Sequence, residues 1–342
     1  MTRGERIIMP GPREVTVQAF EVPAPGPGQV LLETEASAVS PGTELAIYTG
    51  IHQWLADPSR AWPKFPVTPG YSAVGRVAAL GEGVHGVAIG ERVVWPGRHE
   101  THALVEAAHN PLLVRIGGDV AAPVAACAVL ARFPLTALVR AGPLLGQAVA
   151  VLGLGMIGQI ALRLFSAAGA YPLFGIDPVA ARRAAAERTP GAVALDPADG
   201  DLRELLCAHN GGTAPDIVVD ATGAPSAVRD AMRAVADGGR VVMVGSPRGI
   251  AGDVDFYWDL HGRSLSLIGA HGSAIGAEPR EAFPFTLPRA MRLLVHLLES
   301  GKLPLDDLIT HHVHAAELGA MYEGLLNQRD AFLGVTLRWG ST

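Results

Sequence analysis

The sequence has few cysteines, no excess of basic residues and no long uncharged apolar run. Its two cysteines, Cys127 and Cys207, are far apart and form no Cys-x-x-Cys pair, which excludes a disulfide framework or a cysteine-rich zinc lobe and favours a reducing cytoplasm. No apolar run reaches about 18 residues free of charge, so we expect neither a membrane span nor a secreted protein. The net charge of −6 argues against nucleic acid or an anionic membrane as a partner.

Apolar residues are abundant, and they are arranged differently in two regions. The 342 residues are 49% hydrophobic, enough for two domains with separate cores. In the first third, short β-branched runs separated by Gly and Pro clusters predict a β-rich module. Its predicted strands are residues 5–9, 15–21, 30–38, 72–80 and 91–96.

From about Ala121 the pattern changes to alternating helices and strands, which predicts an α/β fold with a doubly wound parallel sheet. The predicted helices are 125–141, 159–168, 179–188 and 226–236, and the predicted strands are 149–152, 172–176, 216–221, 240–244 and 264–268. An amphipathic segment at 288–298, a helix at 317–327 and an apolar run at 332–339 follow. This tail is too short for a domain, so we expect it to return to the β-rich module, with domains 1–124 and 125–285 and a C-terminal segment 286–342.

The apolar run at 149–152 leads into Gly153-Leu154-Gly155-Met156-Ile157-Gly158. A Gly-x-Gly-x-x-Gly turn between a strand and a helix is typical of a dinucleotide-binding unit. The first glycine permits the tight turn, the second lets the backbone approach a pyrophosphate, and the third lets the helix pack on its strand. The N–H groups at the helix N-terminus then face the phosphates. A glycine-rich turn in another doubly wound sheet is the alternative.

A carboxylate follows the next apolar run, at Asp177. This spacing from the glycines suits an acidic residue that accepts hydrogen bonds from the ribose diol and repels a 2′-phosphate. The pattern therefore predicts NAD, while Arg182 and Arg183 soften the repulsion and leave NADP possible. Two further strand ends complete the expected cofactor site, Thr222-Gly223 and Val244-Gly245.

Together these features resemble the medium-chain dehydrogenase/reductase superfamily, in which a GroES-like catalytic domain accompanies a Rossmann domain. The resemblance covers nearly the whole chain, and it rests on the order of several short motifs. They are Pro25-Gly26-Pro27-Gly28-Gln29-Val30, Gly42-Thr43-Glu44, Pro69-Gly70-Tyr71-Ser72 with Gly75, Gly90-Glu91-Arg92-Val93, residues 153–158, Ala221-Thr222-Gly223 and Gly301-Lys302-Leu303. It implies hydride transfer between an alcohol and a nicotinamide cofactor.

The zinc ligands of that superfamily are missing here. Where zinc-dependent members have a Cys before Gly-Thr-Asp, a Gly-His-Glu triplet and a later Cys or carboxylate, this chain has Ser40-Pro41, Gly70-Tyr71-Ser72 and a stretch near Leu130 without acid or thiol. Zinc requires Cys, His or carboxylate donors, so we expect no catalytic metal. His99 and His102 form a His-x-x-His pair without a third ligand, which we interpret as a surface feature rather than a metal site.

Without zinc, side-chain hydrogen bonds must stabilise the reacting oxygen. The resemblance places Thr43 at the relay hydroxyl of the zinc enzymes, Tyr71 at a lost ligand position and Tyr48 at a substrate-facing aromatic position. Further candidates are Ser40 and Glu44 in the same loop and His271 past a sheet strand. Each has a structural alternative: Ser40 and Thr43 as caps of a helix beginning near Glu44, Glu44 paired with an Arg, and Tyr71 filling the volume that the metal leaves.

The remaining histidines, among them His109, are expected at the surface or in packing. His52 follows the Tyr48 loop, and the segment 53–66 carries Trp54, Trp62 and Phe65, which suit either a large flat ligand or a packed lid.

Three functions remain open at this stage. The first is a zinc-independent dehydrogenase of a polyol, sugar or cyclitol, acting on a small-molecule substrate. The second is oxidation of a tetrapyrrole hydroxyethyl side chain, because bacteriochlorophyllide dehydrogenases have a similar Ser-x-Gly-Thr-Glu loop and Tyr-Thr-Gly segment, here at residues 40–44 and 48–50. The third is a nucleotide-binding subunit without catalysis. The resemblance also implies a homodimer.

Overall fold

The computed structural model describes residues 3–107, 110, 112–279 and 285–340, so His109 lies outside the described residues. The chain divides into two compact units. Unit one comprises Met1–Leu130 with Ala277–Thr342, and unit two comprises Ala131–Gly276. Within the described ranges, no helix has the length and apolar character needed to cross a membrane.

The strands and helices follow one another in three stretches. The first contains β1 (Arg3–Ile8), β2 (Thr16–Glu21), β3 (Gln29–Ala38), α1 (Pro41–Tyr48), β4 (Ala73–Leu80), β5 (Arg92–Trp95), β6 (His102–Glu106), β7 (Val114–Arg115) and α2 (Ala122–Ala125). The second contains α3 (Arg132–Ala141), β8 (Val149–Leu152), α4 (Met156–Ala167), β9 (Leu173–Ile176), α5 (Ala180–Ala186), β10 (Ala192–Leu195), α6 (Leu202–His209), β11 (Ile217–Asp220), α7 (Pro225–Ala234), β12 (Arg240–Met243) and β13 (Ser266–Gly269). The third contains α8 (Leu287–Glu299), β14 (Ile309–Val313), α9 (Leu318–Asn327) and β15 (Gly334–Arg338).

Unit one is built on a sheet in the order β14-β15-β3-β4-β5-β7, with β6 also paired to β3. Alternate residues of β3, Val30, Leu32 and Ala36, are fully buried, which is the period-two pattern of a strand with one face on a core. The C-terminal strand β15 pairs antiparallel with β3, and β14 pairs parallel with β15. The strands β1 and β2 form a separate antiparallel pair.

Unit two contains a six-stranded parallel sheet in the order β10-β9-β8-β11-β12-β13. All four residues of β8 are buried: Val149 and Val151 face one apolar cluster, and Ala150 and Leu152 face another. Apolar cores on both faces explain why the strand is a continuous apolar run. The strand order reverses between β8 and β11, and ligands of doubly wound sheets bind at the carboxyl ends of strands beside such a reversal.

Some helices and strands differ from those predicted from the sequence. The helix predicted at 125–141 is two helices, because α2 ends at Ala125 and α3 begins at Arg132. Pro134 explains the interruption: in a continuous helix its ring would clash with the carbonyl of Leu130, whereas in the first turn of α3 its missing N–H has no consequence. The helix predicted from Gln159 begins earlier, at Met156. Six elements were not predicted, β6, β7, β10, α6, β14 and the separate α2.

Candidate functional site

Three hydroxyl groups meet at the start of α1 in unit one. The Ser40 Oγ atom hydrogen-bonds to the Tyr71 hydroxyl, and the Thr43 Oγ1 atom lies 3.3 Å from the same phenol oxygen. Ser40 occupies the cap position of α1, but its side chain caps no backbone N–H. The capping alternative for Ser40 is therefore wrong, as is a helix start near Glu44, since α1 begins at Pro41. The side chains instead form a hydroxyl cluster, which we define as Ser40, Thr43 and Tyr71.

Ser72, the residue after Tyr71, has a structural role. It is fully buried, its Oγ donates to the Ala126 carbonyl, and it accepts from the Leu130 N–H at 3.3 Å. These bonds join the beginning of β4 to the turn that follows α2. The Ser72 hydroxyl is thereby committed to backbone groups.

The glycine-rich turn of unit two connects β8 to α4. A Cβ atom on Gly158 would lie 1.8 Å from the Gly153 carbonyl oxygen, so only glycine lets α4 approach the turn this closely. A Cβ on Gly155 would meet no heavy atom within 4 Å, which leaves open space beside the turn. Helix α4 begins with Met156 and Ile157, and Gly155 is its N-cap residue. The turn thus offers helix N–H groups and room for a diphosphate.

Asp177 follows β9 and faces the same turn. It is 3% exposed; its Oδ2 accepts from the Leu154 N–H at 2.8 Å, and its Oδ1 accepts from the Val179 N–H at 2.8 Å. An Arg182 nitrogen lies 3.7 Å from Oδ2. A carboxylate has about four acceptor positions, so these bonds orient Asp177 and leave it capacity for further donors.

The ends of β11 and β12 meet through Asp220, a residue that the sequence did not single out. The Asp220 Oδ1 accepts from Thr222 N at 2.9 Å and from Thr222 Oγ1 at 2.6 Å. The N–H groups of Val244 and Gly245 both donate to the Asp220 carbonyl, at 2.9 and 2.8 Å. Burial raises the pKa of Asp220, against the hydrogen bonds from Thr222 and Gly223. Asp220 therefore ties together the two predicted cofactor segments, Thr222-Gly223 and Val244-Gly245.

Family models match both regions of the chain. Residues 26–133 match the alcohol dehydrogenase GroES-like domain, and residues 156–288 match the zinc-binding dehydrogenase domain; together they span more than half of the chain. The chain belongs to the medium-chain dehydrogenase/reductase superfamily. The resemblance seen in the sequence is thus confirmed, and so is the fold class, a Rossmann sheet with a β-rich GroES-like domain. The protein is an NAD(P)-dependent oxidoreductase of the alcohol dehydrogenase type.

Several curated dehydrogenases are similar to this superfamily member. L-threonine 3-dehydrogenase of Pyrococcus horikoshii is 28% identical over 323 residues, covering 85% of this chain and 86% of the relative. The 2-desacetyl-2-hydroxyethyl bacteriochlorophyllide A dehydrogenase of Cereibacter sphaeroides is 28% identical over 356 residues, covering 99% of each chain. D-guloside 3-dehydrogenase of Escherichia coli is 24% identical over 340 residues, covering 95% and 96%.

Solved structures share the fold. The 2R,3R-butanediol dehydrogenase of Bacillus subtilis has a TM-score of 0.82 at 19% identity, covering 98% of this chain and 100% of that one. A zinc-binding dehydrogenase of Sinorhizobium meliloti bound to NADP has a TM-score of 0.80 at 21% identity, covering 99% and 100%.

The hydroxyl cluster lacks the side chains that catalytic zinc takes as ligands. The hydroxyl cluster offers neutral oxygen donors, whereas catalytic zinc takes three ligands from Cys, His and carboxylate side chains. Across the described residues, no group of three or more His, Cys, Asp and Glu side chains could hold a metal ion. Ser72, at the position of a carboxylate in the zinc enzymes, is committed to backbone partners.

Glu44, predicted as a catalytic residue or the partner of an arginine, is a buried carboxylate with three donors. Its Oε1 accepts from the Ser40 N–H at 2.7 Å, and its Oε2 accepts from the Tyr322 hydroxyl at 2.6 Å and contacts His99 Nε2 at 2.9 Å. Glu44 is 1% exposed. The interpretation as an arginine partner is therefore wrong, and Glu44 anchors the loop that carries Ser40.

His99 is not a surface residue, contrary to the sequence interpretation, because its exposure is 0%. Its Nδ1 lies 2.8 Å from Ser37 Oγ, and that oxygen accepts from Trp339 Nε1 at 2.8 Å. This network was not predicted from the sequence, because its members have no regular spacing along the chain. They are Ser37, His99, Tyr322 and Trp339. His102 is half-buried and hydrogen-bonds Thr101.

The other two candidates lie in different surroundings. Tyr48 is 4% exposed and donates its hydroxyl to Glu323 at 2.9 Å; burial, followed by Glu323, raises the Tyr48 pKa. His271 is exposed in unit two, and its Nδ1 accepts from the Ser273 N–H at 3.2 Å. Tyr48 packs in the core of unit one beside Tyr322, with ring centroids 5.0 Å apart.

Proposed function

We propose that this protein interconverts a secondary alcohol and its ketone with NAD(P), without zinc. The observation that carries this proposal is the hydroxyl cluster, in which Ser40 and Tyr71 are at positions where zinc-dependent members of the superfamily have ligands and Thr43 is at the position of their relay hydroxyl. Hydrogen-bond donors aimed at a reacting oxygen replace a Lewis acid by stabilising the charge that develops there. The cluster supplies three such hydroxyl groups, from Ser40 and Thr43 at the start of α1 and from Tyr71 just before β4.

The cofactor supplies a hydride acceptor or donor when it is bound. Gly155, Met156 and Ile157 would hold its diphosphate, and Asp177 would accept from the adenosine ribose. Because Asp177 is oriented by two backbone N–H groups and repels a 2′-phosphate, we propose NAD as the preferred form. Arg182, 3.7 Å from this carboxylate, reduces the discrimination against NADP.

Proton transfer falls to the Tyr71 hydroxyl oxygen. In ketone reduction, the substrate oxygen receives the Tyr71 proton as the hydride reaches its carbon, and Ser40 and Thr43 donate to the phenolate left behind until water reprotonates it. In alcohol oxidation the same steps run in reverse: the Tyr71 hydroxyl first gives its proton to water, and the phenolate, to which Ser40 and Thr43 donate, then takes the proton of the substrate hydroxyl as the hydride leaves. One hydride and one proton are exchanged in either direction, which balances the reaction.

For the substrate we propose a polyol, sugar or cyclitol. The hydroxyl cluster is polar and uncharged, as suits neutral hydroxylated carbons, and the relative acting on a D-guloside spans 95% of this chain.

A second candidate is the secondary alcohol of a tetrapyrrole hydroxyethyl group. It is favoured by the Cereibacter sphaeroides relative, which matches over 99% of both chains. The segment after α1 is built around His52, whose ring meets Trp54 and Trp62 edge-on at 5.5 and 6.2 Å. Lys64 holds this segment by donating to the carbonyls of Trp54, Leu55 and Asp57. An ordered aromatic segment of this kind suits a flat ligand.

The deciding experiment follows nicotinamide reduction by the purified protein with NAD or NADP, polyols, cyclitols and a hydroxyethyl chlorin, with and without a chelator. We expect turnover that survives the chelator, on either the hydroxylated or the chlorin substrates. Turnover abolished by the chelator and restored by zinc would contradict the zinc-free mechanism. Tight NADH binding without turnover of any substrate would instead indicate a subunit without catalysis.

We also propose a homodimer formed through β13. This strand is at the end of the described strand order, and its Leu267 is 39% exposed, so its free edge is available to a second copy. Light scattering after gel filtration tests this proposal; a monomer at micromolar concentration would contradict it.

A further inference from the structure

His99 is linked to Ser40 and to Tyr71 through different neighbouring residues. On one side its Nε2 lies 2.9 Å from Glu44, and Glu44 accepts from the Ser40 N–H at 2.7 Å. Since Ser40 is the cap residue of α1, this bond fixes the backbone from which the Ser40 hydroxyl projects. A displacement of His99 would therefore reach Ser40 through Glu44.

On the other side the His99 ring packs against Gly70, the residue before Tyr71. Gly70 has a φ of +91°, and a Cβ there would lie 2.9 Å from the His99 Nδ1 and 2.8 Å from its backbone nitrogen. The His99 N–H also donates to the Pro69 carbonyl at 2.9 Å. The Pro69-Gly70 backbone that leads into Tyr71 is thus built directly on His99.

His99 belongs to a chain of hydrogen bonds that runs from the C-terminal segment to α1. Trp339 Nε1 can only donate, so Ser37 Oγ accepts from it at 2.8 Å, and His99 Nδ1 lies 2.8 Å from the same oxygen. His99 Nε2 lies 2.9 Å from Glu44 Oε2. Both ring nitrogens of His99 therefore have a buried polar partner, which fixes the orientation of the ring.

We propose that His99 is a positioning residue that holds the Ser40 and Tyr71 hydroxyls at bonding distance. The inference rests on the proposed function, since it assigns His99 to the geometry of the same hydroxyl cluster. His99 is fully buried and acts through Glu44 and Gly70. Residues that orient reacting groups typically contribute about 10- to 100-fold to activity.

The test compares His99→Phe, which keeps a ring against Gly70 but loses both hydrogen bonds, with His99→Gln, which retains a donor toward Glu44. We expect His99→Phe to lower kcat about 10- to 100-fold and to change KM less than about twofold, with partial rescue in His99→Gln. His102→Phe, at the neighbouring histidine, is the matched control and should retain activity within about twofold.

A double-variant cycle with Tyr71→Phe separates positioning from general stability. If His99 acts through Tyr71, His99→Phe should cost less than about threefold in the Tyr71→Phe background. Equal losses in both backgrounds, or wild-type kcat in a folded His99→Phe, would overturn the inference. If His99→Phe does not fold, Ser37→Ala, which removes the hydrogen-bond partner of Nδ1, carries the same cycle with an expected loss of about 3- to 10-fold.

An inactive wild-type protein would reject the proposed function but not this inference, which then depends on crystal structures alone. In His99→Phe, or in Ser37→Ala if the first does not fold, we expect the Ser40 and Tyr71 hydroxyls to move apart beyond hydrogen-bonding distance. An unchanged pair would overturn it.

Discussion

The two units hold their functional residues in different ways. In unit two the proposed cofactor site is made largely of backbone, a glycine turn and a helix N-terminus, with the carboxylates of Asp177 and Asp220 after two strands, all within residues 153–245. In unit one the candidate site is made of side chains from β3, α1, the entry to β4, the loop before β6, α9 and the residue after β15. A backbone site depends on which side chains are missing, whereas a side-chain site depends on which distant segments meet. Mutations should therefore fail in different ways in the two units.

The largest expected effect concerns the glycine turn of unit two. Gly158→Ala would place a Cβ 1.8 Å from the Gly153 carbonyl, and overpacking against backbone costs about 3 kcal/mol. We expect a fall of about this size in the free energy of unfolding, measured in urea, with loss of NADH binding.

Gly155→Ala is its matched control, because the added methyl group meets no heavy atom within 4 Å. Its free energy of unfolding should be unchanged, while NADH affinity, measured by fluorescence, falls as the methyl group occupies the space for the diphosphate. Equal destabilisation by both substitutions would contradict the division of roles between these glycines.

The next effect belongs to the side-chain site. Tyr71→Phe removes the hydroxyl that contacts Ser40 and Thr43, and loss of an acid–base group lowers turnover by about 100-fold or more. We expect that loss in kcat, with NADH affinity unchanged because the cofactor residues belong to unit two.

Tyr171→Phe, at a tyrosine that is 70% exposed in unit two, is the control and should leave kcat unchanged. If Tyr71→Phe retains wild-type kcat, the structural alternative is correct and Tyr71 only fills volume.

The difference between the units also decides what the sequence could predict. The glycine turn and Asp177 could be predicted as cofactor-binding residues because the residues of a dinucleotide-binding unit follow a local spacing along one βαβ unit. Ser40, Thr43 and Tyr71 were found as separate candidates, but their contact requires two segments 31 residues apart in the chain. His99 was misassigned because its partners Ser37 and Glu44 are 62 and 55 residues away in the chain, and Trp339, which donates to Ser37, is 240 residues from His99.

A smaller effect tests cofactor choice. Asp177→Asn keeps acceptor oxygen but removes the charge that repels a 2′-phosphate, while Arg182 remains nearby. We expect the preference for NAD over NADP, as a ratio of kcat/KM values, to fall about tenfold, equivalent to about 1.4 kcal/mol. An unchanged ratio would show that Asp177 serves only to hold the Leu154 and Val179 N–H groups.

The smallest effect concerns Asp220, the carboxylate that ties β11 to the cofactor segments. Burial raises its pKa, so the folded protein binds a proton there more tightly than the unfolded chain does. The stability contributed by the protonated form is complete below the unfolded pKa and is lost as pH rises through the folded pKa. Asp220→Asn retains the acceptor for Thr222 without the buried charge. We expect it to increase the free energy of unfolding by about 1 kcal/mol near pH 7 and by little near pH 3.

Asp237→Asn provides a control of opposite sign in the same unit. The hydrogen bond from Arg263 lowers the pKa of Asp237, so its stabilising contribution is present above the unfolded pKa and is lost as pH falls through the folded pKa. Urea titrations should therefore show two opposite trends as pH rises. The free energy of unfolding of Asp220→Asn should increasingly exceed that of the wild type. That of Asp237→Asn should increasingly fall below the wild-type value, by a smaller amount because Asp237 is exposed. A loss in Asp220→Asn at neutral pH would mean that the ionised carboxylate stabilises the junction of β11 and β12, so that unit two depends on a buried charge at this position.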